Sequence, residues 1–398
     1  MNFTSNPPLG LYIHLPWCEK KCPYCDFNSH QSSDFDEQAY IKALVEDLQQ
    51  DLPLIWGRQI SSVFIGGGTP SLFSGEAIHQ LLSDLRACLN FNPGMEITME
   101  ANPGSADESR FKAYRNAGVN RLSIGIQSFD DRSLENIGRI HNGQKSLDAF
   151  CKARQAGFEN INLDLIYALP GQTLQQAMTD LSTAIALQPE HISLYQLTIE
   201  PNTLFHSRTP ADLPDDDLSW EMQQQNQALL QSAGYQHYEI SAYAKKGHHS
   251  RHNLNYWSFG DYLGIGAGAH AKITLPAEGR VIRQTRQRQP QSYMQSSGSA
   301  RISESRELNA QDLAFEFMLN ALRLVDGFHK SLFAEHCGLP FQFLNKPVSK
   351  ALELELLSDT ASHLKPTSLG LQFHNDLQAL FLDIDSTQLD QVEPEIYF

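Results

Sequence analysis

"WCEKKCPYCDF", Trp17 to Phe27, sets three cysteines, Cys18, Cys22 and Cys25, into eight residues of a chain that has six in all. The spacing is C-x3-C-x2-C, and Phe27 follows two places after the last cysteine. The stretch comes directly after "LYIHL" (Leu11–Leu15), a short run rich in β-branched and aromatic residues that reads as a strand. Zinc is one occupant for such a loop. Closed zinc sites take four tetrahedral ligands, and His14 or His30 would complete a set of three cysteines and one histidine. Zinc sites, however, typically pair their cysteines in separated knuckles. Three thiolates in one tight loop suit a 4Fe–4S cluster, whose fourth iron is then left open to a substrate or cofactor.

The rest of the composition narrows the class. The chain has 398 residues, 41% hydrophobic and 19% charged, with a formal net charge of −16. This describes a globular protein of about two domains. The acidic balance argues against a protein that coats nucleic acid through phosphate contacts. "RQTRQRQ", with Arg283, Arg286 and Arg288, reads as a solvated linker. The N-terminus lacks the basic start and apolar run of a signal peptide, and no integral membrane segment is expected. A cytoplasmic location with reduced thiols follows. Clustered cysteines are then metal ligands or redox groups. The isolated Cys88, Cys151 and Cys337 read as small buried hydrophobes.

Short apolar runs alternate with amphipathic helical stretches. The runs after the first are "SVFIGGG" (Ser62–Gly68), "MEITMEANP" (Met95–Pro103), "RLSIGIQSF" (Arg121–Phe129), "INLDLIYALPG" (Ile161–Gly171) and "HISLYQLT" (His191–Thr198). Between them, Ile41, Leu44, Val45 and Leu48, and again Ile78, Leu81, Leu82 and Leu85, fall at helical spacing. Thr173 and Gln176 form a candidate capping box. About six strand–helix units imply a parallel sheet with right-handed crossovers. Periodicity alone leaves a doubly wound sheet and a barrel open. Polar clusters at the ends of successive strands favour a barrel-like sheet whose ends converge on one mouth. Residues 1–284 read as this barrel domain, the polar stretch 285–305 as a linker, and 306–398 as a small helix-rich C-terminal domain.

The cysteine loop, together with "FIGGGTPS" after the second strand, resembles the radical S-adenosylmethionine (SAM) proteins. "FIGGGTPSLF", "EANPG", "GIQSF", "IGRIH", "DLIYALPGQT" and "HISLYQLTIEPNT" resemble one branch of them, the oxygen-independent coproporphyrinogen III oxidase group, over nearly the whole chain. The resemblance implies a partial (β/α)6 barrel. It implies a cluster on Cys18, Cys22 and Cys25, and SAM contacts from Tyr12, Tyr24, Gly67, Gly68, Thr69, Glu100, Gln127, Arg139 and Asp164. Carboxylates such as Glu100 and Asp164 can accept from the ammonium or ribose hydroxyls of SAM, and Arg139 can pair with its carboxylate. Glycines at 67 and 68 would let the backbone approach the methionine end.

Two features depart from the oxidases. They carry a fourth cysteine where this chain has Phe27, and a longer arm than the few residues preceding this first strand. Both resemble instead a sister group of haem chaperones. That group also shows the H-N-x2-Y-W pattern found here at His252, Asn253, Tyr256 and Trp257. The resemblance implies haem as a third ligand, with His252 as its iron ligand. His270, at the end of "GIGAGAH", reads as an alternative ligand or a residue of the site mouth, and His248 and His249 as incidental residues of an exposed polar loop. The resemblance implies delivery of haem to acceptor proteins such as respiratory enzymes and leaves a homodimer open. The rival activity is SAM-dependent oxidative decarboxylation of coproporphyrinogen III.

Overall fold

The computed structural model of the chain describes residues 1–32 and 34–382; the expected C-terminal domain therefore lies outside the described residues over 383–398. Six strands carry the framework: β1 (Leu9–Leu15), β2 (Gln59–Gly67), β3 (Asn90–Ala101), β4 (Arg121–Gln127), β5 (Ile161–Tyr167) and β6 (His191–Gln196). They pair parallel, each with the next in chain order. A doubly wound sheet reverses its strand order at a switch point. Here the order runs one way through all six, so the winding is that of a barrel wall.

The intervening helices are α1 (Glu37–Asp51), α2 (Gly75–Cys88), α3 (Glu108–Ala117), α4 (Gly143–Gln155), α5 (Leu174–Ala186) and α6 (Asp216–Ser232). α1 buries Ile41, Leu44 and Leu48, and α2 buries Ile78, Leu81, Leu82 and Leu85, the stripes expected from spacing. Their starts are fixed by side-chain caps from Asp36 and Ser74, each worth about 1 kcal/mol. Thr173 and Gln176 close the expected capping box at the start of α5.

The sheet continues beyond the six strands. β7 (Gln236–Glu239) and β8 (Ala242–Ala244) add antiparallel to the β6 edge. The helix α7 (Arg251–Trp257) follows. β9 (Asp261–Ile265) then pairs parallel with β1, and β10 (His270–Leu275), β11 (Arg280–Arg286) and β12 (Ile302–Glu307) extend that side antiparallel. The order is β12-β11-β10-β9-β1-β2-β3-β4-β5-β6-β8-β7.

The stretch 285–305 thus carries the end of β11, a short helix (Pro290–Gln295) and the start of β12. Its polar composition belongs to an outer strand whose side chains are almost all exposed. The arginines around its start, Arg283, Arg286 and Arg288, also differ from a solvated run. Arg286 is fully buried, its Nε 2.8 Å from Asp47 Oδ1 and its guanidinium paired with Asp51 as well. Arg283 pairs with Glu316, and only Arg288 is exposed. Strand alternation sends neighbouring basic residues to opposite faces, which composition does not reveal.

Of the isolated cysteines, Cys337 is buried as expected, Cys88 is half-buried and Cys151 is exposed. α4 buries Ser146, Ala149, Phe150 and Ala153, and Cys151 falls on its outer face. After β12, helix α8 (Ala310–Ala321) opens a second core around Phe317, Phe328, Phe333 and Phe343, with a three-stranded antiparallel sheet (Phe328–His329, Leu357–Asp359, His363–Pro366). Among the described residues no helix is long and apolar enough to cross a membrane.

Candidate functional site

The cysteine loop leaves β1 at Leu15 and is closed by a two-residue parallel ladder, Trp17 with His30 and Cys18 with Gln31. The buried Trp17 indole anchors it, stacked on Phe35 at 4.4 Å and edge-on to Tyr40 at 4.6 Å. The glycine turn after β2 lies directly on this loop. Gly68 N–H donates to Leu15 O and Thr69 N–H to Trp17 O, both at 2.8 Å. A Cβ on Gly68 would stand 2.5 Å from Trp17 O and 2.7 Å from the Pro16 carbonyl carbon. Gly67, at φ +116°, would drive a Cβ to 2.6 Å from the His14 ring. The missing side chains at these positions therefore also serve packing, Gly68 against the cysteine loop and Gly67 against His14 on β1.

Each cysteine sulfur has a polar neighbour. Thr69 Oγ1 donates to Cys18 Sγ at 3.5 Å, Arg139 Nη1 donates to Cys22 Sγ at 3.5 Å, and Cys25 Sγ lies 3.8 Å from Ser29 Oγ. Burial pushes the Cys18 and Cys25 thiols up, and the neighbouring sulfurs add to the rise. Sulfurs close enough to repel one another as thiolates, with hydrogen-bond donors beside them, fit a cationic iron–sulfur group. The histidines that would complete a zinc site are engaged elsewhere. His14 hydrogen-bonds Tyr12 OH at 2.9 Å and Asn28 O at 2.8 Å, and His30 Nε2 bonds Asn28 Oδ1 and Arg288 O. Among the described residues no group of three or more His, Cys, Asp and Glu side chains is placed to hold a single metal ion.

Beside the loop, the strand ends bring the remaining expected contacts together. Glu100 Oε2, at the end of β3, accepts from Gly67 N–H at 3.0 Å. Burial, then the charge of Asp164, raise the Glu100 carboxyl from 4.5 to about 7. Asp164 is raised too, by burial, and accepts from Ser123 Oγ at 2.9 Å and Asn162 Nδ2 at 2.8 Å. Gln127 ends β4 at φ +68°, a strained value for a residue with a Cβ. Arg139 donates through Nη2 to Gly125 O at 2.8 Å, while its buried Nε has no partner. Burial raises the Tyr24 hydroxyl above its ordinary range, and Arg139 and Cys22 lie within charge range of it. An unpartnered buried N–H and two crowded carboxylates ask for a ligand carrying both a carboxylate and a cation. The amino-acid end of SAM has both.

The H-N-x2-Y-W residues form α7, which packs on β1, β2 and β9. Glu96 on β3 accepts from the Arg251 and His252 amides at 3.2 Å, which fixes the start of the helix. His252 is 1% exposed. Its Nδ1 bonds Ser62 Oγ at 2.9 Å, its Nε2 bonds Tyr256 OH at 3.0 Å, and its ring stacks on Phe64 at 5.2 Å. Burial lowers its pKa to about 3. Both ring nitrogens of His252, the expected iron ligand, are thus hydrogen-bonded here, and the residue holds Tyr256 in place. Tyr256 and Trp257 do face open space. They line a cavity of about 820 Å³ together with Tyr12, Phe27, Glu100 and His270. Phe27, at the position of the oxidases' fourth cysteine, is 60% exposed there. His249 is not incidental either, since it stacks on Tyr238 at 4.2 Å.

His270 projects into the same cavity with Nδ1 3.2 Å from Thr285 Oγ1. Partial burial, then the charges of Arg283 and Arg288, lower its pKa. Sequence reading missed Asn28. Its Nδ2 donates to Ala267 O and Arg288 O, both at 2.9 Å, which clamps the cysteine loop to the β9–β11 side of the cavity. Partners some 240 to 260 positions away leave no local signal in the sequence.

Residues 12–183 match the radical SAM superfamily and residues 308–373 the HemN C-terminal domain. The chain is 47% identical to the heme chaperone HemW of Escherichia coli over 94% of its own length and 98% of the relative's. It is 35% identical to the heme chaperone HemW of Bacillus subtilis over 94% and 99%. Among solved structures, the coproporphyrinogen III oxidase HemN of Escherichia coli superposes with a TM-score of 0.80 at 24% identity, covering 94% of this chain and 90% of that one. At that identity the likeness concerns the fold.

Proposed function

Because this chain belongs to the heme chaperone HemW family of radical SAM proteins, we propose that it binds haem and passes it to acceptor haem proteins such as respiratory enzymes in the cytoplasm. The observation that carries the reading is the cavity of about 820 Å³. It lies within the size range of sites that enclose a cofactor. It runs from the strand ends to the exposed Phe27 and the half-buried Trp257, aromatic rings that can pack against a porphyrin.

Cys18, Cys22 and Cys25 would hold a 4Fe–4S cluster, and Tyr12, Tyr24, Gly67, Thr69, Glu100, Gln127, Arg139 and Asp164 would hold SAM. When bound, the cluster offers an iron with an open coordination position. The chain's own residues then have distinct tasks. Thr69 and Arg139 donate to cysteine sulfurs and offset their negative charge. Arg139 also has its spare Nε for a carboxylate. Glu100 and Asp164 accept from an ammonium or hydroxyls. Gly68 belongs to the packing of the loop and Phe27 to the cavity wall.

The test is anaerobic. The reconstituted protein is offered haem and coproporphyrinogen III in parallel. The expected result is a haem absorption band, activation of an apo-acceptor on mixing, and no protoporphyrinogen. SAM-dependent decarboxylation of coproporphyrinogen without haem transfer would overturn the reading in favour of the oxidase.

A further inference from the structure

With both nitrogens of His252 engaged by Ser62 and Tyr256, the cavity offers a second histidine to a haem iron. The antiparallel extension β10–β11–β12 lines the same cavity as α7. Its register sets His270 directly across from Thr285, and Thr285 directly across from Glu304. Residues paired across strands project on the same face, and all three line the cavity. The hydrogen bond between Thr285 Oγ1 and His270 Nδ1 holds the imidazole, and among the described residues no hydrogen bond engages Nε2. A ring fixed through one nitrogen with the other open is how a histidine is prepared for a metal.

The turn that delivers His270 is itself fixed. Gly266 and Gly268 take φ +106° and +79°, and a Cβ on Gly268 would stand 2.3 Å from Asn28 Nδ2. Arg288 lies at the same cavity with its carbonyl held by Asn28 Nδ2 and His30 Nε2 at 2.9 and 3.2 Å. Arg283, its neighbour on this wall, is committed to Glu316 and Tyr262. Arg288 is exposed, and among the described residues no carboxylate pairs with it.

We propose that His270 Nε2 ligates the haem iron, with Thr285 fixing the ring, and that Arg288 takes one of the haem's carboxylates. The proposal rests on the haem-binding reading above and adds the residues that recognise the two chemical handles of the ligand, its metal and its propionates. It also predicts that the two handles are separable.

Haem, iron-free protoporphyrin IX and haem dimethyl ester are titrated into the full chain and its variants. His270→Ala should weaken haem about a hundredfold and shift its absorption band, with the band restored by added imidazole, while iron-free protoporphyrin binds as before. Thr285→Val should weaken haem about tenfold, the loss typical of an outer-shell partner. Arg288→Gln should weaken haem and protoporphyrin about tenfold, as expected for a lost charge-assisted hydrogen bond, and leave the dimethyl ester unchanged. His270→Met retains a ligand of different chemistry and should give a distinct spectrum at retained porphyrin affinity. A His270→Ala or His270→Met protein with the parent's haem spectrum and affinity would overturn the assignment while the haem-binding reading stands. Equal losses for haem and its dimethyl ester in Arg288→Gln would overturn the carboxylate contact. A parent chain that binds no haem would overturn the reading and the assignment together.

Discussion

Replacing Glu100 with Gln tests whether the strand-end carboxylates are kept for a cation. In the ligand-free protein the Glu100 carboxyl is raised from 4.5 to about 7 by burial and by Asp164. A raised carboxyl means that the folded state disfavours the ionised form. Folding stability therefore falls as pH rises through this window, and the loss is complete above about pH 7. A shift of that size corresponds to about 3 kcal/mol. The side chain faces the cavity, where water screens the charge, so about 1–2 kcal/mol is expected. Gln removes the charge and keeps an oxygen for the Gly67 N–H. The cofactor-free variant should therefore unfold a few degrees above the parent at pH 8 and together with it at pH 4.5. The same substitution should weaken SAM about tenfold, because a neutral amide accepts less strongly from an ammonium. Thermal unfolding at the two pH values and a SAM titration measure both. A variant less stable than the parent at pH 8, or equally stabilised at both pH values, would refute the reasoning.

Three further outcomes follow from the same contacts. Cys22→Ala should abolish the iron–sulfur absorption after anaerobic reconstitution, whereas Cys337→Ala should leave it intact, as read from iron and sulfide content. Gly68→Val should lower cluster loading along with SAM binding, since its side chain would collide with the backbone of residues 16 and 17; full iron content with weakened SAM would show that the turn and the loop are independent. His252→Ala should cost about 2–4 kcal/mol in denaturant unfolding, because it opens a hole and strips partners from Ser62 and Tyr256. Its effect on haem should come through a displaced Tyr256, so His252→Gln, which can keep one of those bonds, should recover part of both losses.

The alternation of apolar runs and helical stripes determined a parallel sheet of about six strand–helix units, because burial of one helix face and both strand faces is a local property with a fixed period; the choice of a barrel over a doubly wound sheet came from the family resemblance. The cysteine loop was equally legible: three thiols within eight residues must lie together whatever the fold. Polar residues at successive strand ends announced a shared mouth, and Glu100 and Asp164 do lie within charge range of each other there.

Tertiary structure decided what each remaining side chain is free to do. Identity alone does not say whether an imidazole is already spent. Sequence ranked His252 above His270, yet Ser62 and Tyr256 occupy both nitrogens of the first, and Thr285 holds a single nitrogen of the second. The same holds for Arg286 and Arg288, two positions apart, one buried between Asp47 and Asp51 and the other exposed at the cavity. It holds for Gly68, whose missing Cβ serves the Trp17 backbone. For His252 with Ser62, Arg286 with Asp47 and Gly68 with Trp17, the deciding partner is brought in by the fold, some 50 to 240 residues away. Hydrogen-bond competition of that kind has no period and no spacing. It exists only once the sheet has set the strands side by side.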